Sequence, residues 1–589
     1  MTRPARDPLR ASPQFRLQVG FILIAMVLSV FAARLVQLQG VDPDEYAAMA
    51  AAEGSVDVIL PATRGEILDR NGKALAKSID GRMIVADPTL TADDAPELAS
   101  FLSQRLDIDY FEVLERLRVE GSRFQYVARQ VPARLATQVV ADAEAEGFVG
   151  LFMQRDPVRV YPFNDVAANL VGFLGTPKRN GSARALAGLE DSFNDYLSGI
   201  DGEARYEVGA GAQIPLGDSA ITPAVDGSDL ALTLDADLQF YTQRVLQQTV
   251  EGSRAESGIA VIMDSRTGEI LALADYPSYD ASTPQDWPKS RYKSSALTDV
   301  YEPGSTEKVL TLSAVIDAGL GKPRQQYVVP GVLNRQDRPI HDHWAHGIEH
   351  LTLAGILAKS SNIGTVLAAD EFEPGQLRSY LTAFGLGRQT HVGLNGETKG
   401  LLPKGEAWTD QVDDRIAFGQ SLSVNAVQMI AAVNAIANDG VRIDPSLVKG
   451  RATLDDGTEV GTDEAGTRRV ISTEAARQTA LMMERVLDPV DGVAPLASVP
   501  GYRIAGKTGT AQRVVESCAC YDGSHTASFV GFGPTDDPRF TAYVVVHDSR
   551  TGGGGAVAGP AFAKLMSYAL RRYGVAPTET RPSKLPVEW

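Results

Sequence analysis

The sequence predicts an α+β protein with three parts: a membrane-spanning helix, a mixed α/β module, and a larger domain whose antiparallel sheet is interrupted by helices. Three observations carry this. The stretch from Leu17 to Ala33 has no charged residue, and its apolar character resumes after Arg34 through Leu38. Strand-like runs stand at 259–274 and return between 503 and 547, while 305–440 has mostly helical periodicity. Residues 56–226 instead mix short alternating runs with a helical stretch from Ala92 to Glu146 and are punctuated by Gly and Pro.

Composition narrows the function before any motif is read. A chain of 589 residues allows about three to five domains with sizeable cores. With 44% hydrophobic and 22% charged residues it is globular, which excludes wholesale disorder and a fibrous chain. The 74 acidic against 56 basic residues leave a net charge of −18, so nucleic acid is excluded as a partner. Cys518 and Cys520, separated by one alanine, are too close for an unstrained bridge and too few for a zinc site, so they assign no compartment.

The first element is the apolar run. As helix, Leu17 to Ala33 reaches about 25 Å and Leu17 to Leu38 about 33 Å, bracketing the ~30 Å hydrocarbon core, with Arg34 long enough to snorkel. Arg3, Arg6, Arg10 and Arg16 precede it and Asp42, Asp44 and Glu45 follow it. This asymmetry makes 1–16 a cytoplasmic tail, 17–38 a transmembrane helix and the remainder extracytoplasmic. A cleavable signal peptide would share the basic start, and Phe31-Ala32-Ala33 offers a peptidase small residues, but the apolar stretch exceeds a usual h-region, which favours a retained anchor.

The mixed module occupies 39–226. Gly, Pro, Asp and Ser cluster at Gly209 to Ser228, where a linker is expected. The catalytic domain, 227–575, opens with a hairpin: Ile259 to Met263 and Glu269 to Ala274 flank Asp264-Ser265-Arg266-Thr267-Gly268. Arg503 to Gln512, Ala527 to Phe532 and Phe540 to His547 supply later strands, and Pro560 to Leu570 a closing helix. The Pro-containing tail 576–589 is expected to be disordered.

The chemistry begins at Glu302-Pro303-Gly304-Ser305-Thr306-Glu307-Lys308, followed by Val309, Leu312, Val315 and Ile316 at helical spacing and a helix-ending Gly319. Ser305 therefore sits at a helix start, where free N–H groups and the dipole favour a developing alkoxide, and Lys308 points from the same face toward its hydroxyl. Burial would lower the lysine pKa enough for it to act as a base. The spacing alone is weak, since Ser290 with Lys293 and Ser446 with Lys449 repeat it. Ser360-Ser361-Asn362 and the single Lys507-Thr508-Gly509-Thr510 follow in order; Ser-x-Asn also recurs at Ser192 and at Ser423. In the Lys-Thr-Gly-Thr strand, Gly506 and Gly509 would let a substrate backbone approach, an exposed edge would pair an extended peptide, and the lysine and threonines would hold a carboxylate. His341, His343, His346 and His350, with Asp342 and Glu349, are of zinc-ligand type, but the segment reads as a loop leading to the second motif, and no metal is assigned.

Ser-x-x-Lys, Ser-x-Asn and Lys-Thr-Gly in this order form the constellation of penicillin-binding proteins and serine β-lactamases. From the anchor to about residue 570 the chain resembles a class B penicillin-binding protein of the septal, cell-division type. Thr63-Arg64-Gly65-Glu66 through Ala76 resembles the opening of that family's pedestal, a domain of dimerisation type. Arg159-Val160-Tyr161-Pro162, Gly188-Leu189-Glu190 and Tyr196-Leu197-Ser198-Gly199 resemble its later pedestal motifs, and Phe418 to Asn425 resembles a helix entry before the third motif. The resemblance implies a serine β-lactamase-like transpeptidase domain and a D,D-transpeptidase needing no cofactor. Ser305 would be its nucleophile, Lys308 the proton acceptor, Ser360 and Asn362 the relay and substrate-amide contacts, and Lys507, Thr508, Gly509 and Thr510 the carboxylate-binding strand. The implied partners are peptidoglycan stem peptides, β-lactam antibiotics, a membrane glycan polymerase of the shape, elongation, division and sporulation family, and other divisome proteins; the implied place is the cell membrane at the septum. Glu307, where the family is usually uncharged, and the Cys518 loop depart from the pattern. An elongation-type homologue or β-lactam sensor of the same fold remains an alternative, as does a non-catalytic divisome scaffold, although a scaffold has no use for all three motifs in order.

Overall fold

The computed structural model describes residues 13–36, 55–176, 183–209, 212–213, 219–336, 338–515 and 520–589. The charges expected to flank the anchor at 3–10 and 42–45, the anchor's last two residues and Cys518 lie outside the described residues.

The chain divides into two compact units, one of residues 1–62 with 200–225 and one of 63–199 with 226–589. In the first, helix α1 (Pro13–Val36) contains Leu17–Val36, 20 residues of mean hydropathy 2.5 with no part of that window buried in protein. Its length, about 30 Å, matches a hydrocarbon core. Ser55–Leu60 pairs antiparallel with Gly202–Gly209, which also pairs with Ser219–Thr222. The linker expected at 209–228 is therefore partly strand. Gly and Pro composition reports local breaks, whereas the alternating Ser219-Ala220-Ile221-Thr222 is held by a ladder to Glu203–Tyr206.

In the second unit, the pedestal-like part contains a three-stranded antiparallel sheet in the order Gln125–Pro132, Gly81–Ala86, Leu151–Arg155. Helices Ala95–Leu106, Tyr110–Leu117 and Ala133–Ala145 close a core of its own around Ile84, Leu98, Leu102, Val113 and Val139. Gln125–Pro132 thus interrupts the stretch expected to be helical. Three motifs far apart in sequence converge below this sheet. Glu190, fully buried, accepts from Arg64 Nε at 2.6 Å and from Arg159 Nε at 2.7 Å. Arg159 Nη1 also donates to Gly65 O at 2.8 Å, and Tyr161 OH accepts from Leu174 N at 2.9 Å.

The catalytic part is built on five antiparallel strands. They are β1 (Ser257–Asp264), β2 (Ile270–Tyr276), β4 (Ala505–Val515), β5 (Cys520–Gly533) and β6 (Phe540–His547), in the order β2-β1-β6-β5-β4; β3 (Glu349–Thr352) lies in a separate pair. Alternation along β6 assigns its faces. Phe540 meets Tyr573 beyond helix α8 (Ala558–Arg572), while Thr541 donates to Asn434 Oδ1 at 2.6 Å in the wholly buried helix α6 (Ala426–Ala437). Helix α2 (Ala236–Gly252) packs beside α8 through stacked Tyr241 and Tyr568, 4.1 Å apart. The remaining helices α3 (Lys308–Asp317), α4 (Leu353–Lys359), α5 (Asn362–Ala369) and α7 (Thr473–Arg485) complete the body that carries the motifs.

The tail expected to be disordered is a seated strap. Thr578 N donates to Gly501 O at 2.9 Å, Ser583 N to Glu484 Oε2 at 2.7 Å, Thr352 N to Val587 O at 3.0 Å and Trp589 N to His350 O at 3.1 Å. Val587 is buried, and Lys359 pairs with Glu588. Prolines suit an extended strap because they have no N–H to satisfy. Gly355, inside α4, records the contact: a Cβ there would stand 1.9 Å from Val587 O.

Two stability outcomes follow. Glu190→Ala strands two buried guanidinium groups and should cost about 3–5 kcal/mol in urea unfolding. Gly355→Ala should lower Tm in the intact chain by unseating the strap, yet raise it in a chain cut after Val575, where only the ~1 kcal/mol helix advantage of alanine remains; equal effects in both backgrounds would show that the strap does not bear on α4.

Candidate active site

Ser305 lies in a single 3₁₀ turn, Gly304–Thr306, that leads into α3. The turn is fixed from three sides. Gly304 N donates to Gly419 O at 2.9 Å, Thr306 Oγ1 to Pro303 O at 2.7 Å, and β4 approaches so closely that a Cβ on Gly509 would lie 2.3 Å from Ser528 Oγ and 3.1 Å from Pro303 O. A Cβ on Gly506 would meet Phe529 at 2.5 Å. Both glycines therefore make room for the protein's own packing. The half-buried Ser305 stands at the helix start, where the first N–H groups have no intrahelical acceptor.

Lys308, the first residue of α3, is fully buried. Its Nζ donates to Ser360 O at 2.6 Å and Asn362 Oδ1 at 2.7 Å and lies 3.4 Å from Ser360 Oγ. The ammonium thus faces the second motif and makes no hydrogen bond to the Ser305 hydroxyl, toward which the sequence had it point. Lys507, equally buried, donates to Ser360 Oγ at 2.7 Å, Thr508 O at 3.1 Å and Thr508 Oγ1 at 3.2 Å. Ser360 reaches both lysines because it ends α4 in the left-handed region, φ 62°, turning the chain before Ser361 caps α5 by accepting from Gly364 N at 2.8 Å.

Burial dominates the electrostatics. It lowers the Lys308 pKa to about 7, against the opposing pull of Asp342 and Glu307. Burial, and then the charge of Lys308, push Lys507 well below its ordinary value. Glu307, the departure beside the lysine, is buried, and burial pushes its carboxyl well above the ordinary carboxylate range. Thr311 Oγ1 donates to it at 2.7 Å, and Thr311 and the charge of Lys308 oppose that rise.

Ser305, Lys308, Ser360, Asn362, Lys507 and Thr508 are thus gathered on one side of β4, the sheet edge. Thr510 is exposed at that edge and accepts from Gly554 N at 3.2 Å. The competing serines are elsewhere: Ser290 is exposed in a short turn, and Ser446 Oγ is spent on Val448 O at 2.8 Å. Asn425, of the recurrent Ser423 motif, caps α6 in a capping box with Gln428. Sequence reasoning missed Gly554 and weighed Asp342 only as a metal ligand. Among the described residues no group of three or more His, Cys, Asp and Glu could hold a metal ion. His346 uses both ring nitrogens, Nε2 on Asp342 Oδ2 at 3.0 Å and Nδ1 on Gly347 O at 2.9 Å.

A serine at a helix start, a lysine able to lose its proton near neutrality, a hydroxyl bridging two lysines and an open strand edge together suit acyl transfer. Residues 59–232 match the pattern of the penicillin-binding protein dimerisation domain, and 258–567 match the penicillin-binding protein transpeptidase domain. The chain belongs to the penicillin-binding proteins. Within them it is of class B, with both domains of that class. Penicillin-binding protein PbpB of Mycolicibacterium smegmatis is 35% identical over 95% of this chain and 91% of its own length. Peptidoglycan D,D-transpeptidase FtsI of Escherichia coli K12 is 32% identical over 96% and 92%. Penicillin-binding protein 3 of Mycobacterium tuberculosis, solved with aztreonam, superposes with a TM-score of 0.69 at 30% identity over 90% of this chain and 100% of its own. Penicillin-binding protein 2X of Streptococcus thermophilus gives 0.72 at 26% identity over 88% and 80%.

For this penicillin-binding protein the Lys308 environment fixes a pH dependence. If Lys308 takes the serine proton it must first be neutral, so the rate at which a β-lactam acylates the enzyme should rise with pH through about 7, the value to which burial brings Lys308. Lys308→Met should slow acylation by about 10²–10⁴-fold with Tm retained. Stopped-flow acylation across pH checks both; a rate independent of pH from 5.5 to 8.5 contradicts the assignment.

Proposed function

We propose that the protein is an anchored peptidoglycan D,D-transpeptidase of septal cell-wall synthesis. The observation that carries this reading is the chain from Lys308 through Ser360 Oγ to Lys507 beside the Ser305 turn. Ser305 Oγ attacks the carbonyl of the penultimate D-alanine of a stem peptide and gives its proton to neutral Lys308. The N–H groups of Ser305 and Thr510 receive the developing oxyanion, each such donor being worth ~3 kcal/mol. The proton passes by way of Ser360 to the departing D-alanine amine. An amine on a neighbouring strand then attacks the acyl-enzyme, closing the crosslink and releasing Ser305. Asn362 holds the substrate amide, and Lys507, Thr508, Gly509 and Thr510 hold the terminal carboxylate while the peptide lies along the free edge of β4. A β-lactam enters the same path and stops at the acyl-enzyme.

Neither matched domain polymerises glycan, so the strands come from a membrane glycan polymerase of the shape, elongation, division and sporulation family, working with other divisome proteins. α1 keeps the catalytic part on the outer side of the cell membrane at the septum. The anchor buries its surface in lipid, so its role is to raise the local concentration of enzyme where strands emerge.

Peptide mapping of a labelled penicillin adduct should find the label on Ser305 alone; label on Ser290 or Ser446, or undiminished labelling of Ser305→Ala, would refute the mechanism. An exported form lacking 1–40 should bind penicillin normally yet fail to support division. Full rescue by it, or cleavage of the cellular protein after Ala32 or Ala33, would refute the anchor.

A further inference from the structure

Asp342 lies in the segment that precedes the second motif. Its carboxylate is fully buried. One oxygen accepts from the backbone N–H groups of Asn362 and Ile363, the latter at 3.0 Å; the other accepts from Ser361 Oγ at 2.7 Å and lies 3.0 Å from His346 Nε2. The neighbouring His341 O accepts from Asn362 Nδ2 at 2.8 Å. With its amide nitrogen held there and its backbone held by Asp342, Asn362 can present only Oδ1 to Lys308 Nζ, the 2.7 Å contact. The orientation of the second motif is thus set from outside α4 and α5.

The charges facing Asp342 are few. Lys308 comes from α3, with Glu307 just before it, and His341, His343 and His346 come from its own segment; burial, reinforced by Lys308 and Lys507, lowers the His343 pKa, which Asp342 opposes. We propose that Asp342 is a positioning residue of the acyl-transfer site, whose carboxylate fixes Ser361 and Asn362 in register and supplies the negative charge that faces the buried Lys308. The inference rests on the transpeptidase reading. Its loss would act on Lys308 in a stated direction: the carboxylate favours the ammonium, so without it the lysine releases its proton at lower pH.

Asp342→Asn separates the two contributions. The amide oxygen still accepts from both backbone N–H groups, while Ser361 and His346, in its Nδ1–H tautomer, turn to accept from the amide nitrogen; geometry stays and charge goes. Acylation of the full-length protein by a fluorescent penicillin would be followed from pH 5 to 9. For Asp342→Asn the acid limb should move to lower pH, so that the rate at pH 6, as a fraction of the variant's own plateau, rises about threefold. Asp342→Ala should show the same displacement with a plateau about tenfold lower. Ser361→Ala keeps the charge and loses one anchor, so its plateau should fall about threefold with the limb unmoved. A limb for Asp342→Asn that coincides with the unmodified protein's, or an undiminished plateau for Asp342→Ala, overturns the proposal. A displaced limb in Ser361→Ala overturns it too, however well the Asp342 variants fold. Failure of the unmodified protein to be acylated at Ser305 would instead refute the transpeptidase reading.

Discussion

Two buried lysines that share one hydroxyl constrain the rest of this structure. Lys308 and Lys507 are both fully buried and both reach Ser360, so charging both at once would put like charges a few ångströms apart where water cannot screen them. The fold tolerates the pair because one proton can be shared across the Ser360 hydroxyl and because carbonyl and amide oxygens of Ser360, Asn362 and Thr508 surround the nitrogens. That requirement explains the local backbone. Ser360 takes a left-handed conformation to offer both its carbonyl and its hydroxyl, and β4 lies at the sheet edge so that Lys507 reaches inward while the exposed Thr510 stays outside.

What was legible in the sequence was what short segments encode. The anchor, the Ser305 turn with Lys308 one helical turn on, the hairpin of β1 and β2 and the Lys-Thr-Gly-Thr strand each declare themselves within about a dozen residues. What escaped depends on partners far along the chain. Asp342 binds the backbone of Asn362 across a fold that periodicity does not describe, and Gly506 and Gly509 are small because Phe529, Ser528 and Pro303 crowd them. The strap was misread because its prolines argue against helix and sheet without saying whether an extended segment has a groove to lie in. Asn425 shows the converse: a motif-like spacing with a purely local task, capping α6.

The pedestal motifs make the same point from the other side. Arg64, Arg159, Tyr161 and Glu190 belong to separate linear segments, yet they form one buried cluster in which a single carboxylate holds two guanidinium groups. Ile67, Leu75 and Leu189 of this region share a continuous apolar core with Leu234, Val261 and Leu273 beneath the catalytic sheet. This base and the catalytic part are packed as one body, and only the three-stranded sheet above has a core of its own.

The strap also sets a schedule. Thr352, which caps the helix ending at Ser360, is bonded to Val587, 235 residues later in the chain. At about 5–20 residues per second, synthesis takes roughly 12–47 s to cover that distance. Throughout that interval β3 has an open edge and α4 an uncovered glycine face. Of the elements that hold the second motif, the strap comes last, so the nascent chain carries the Ser305 turn and Lys308 well before the support beneath Ser360 is in place.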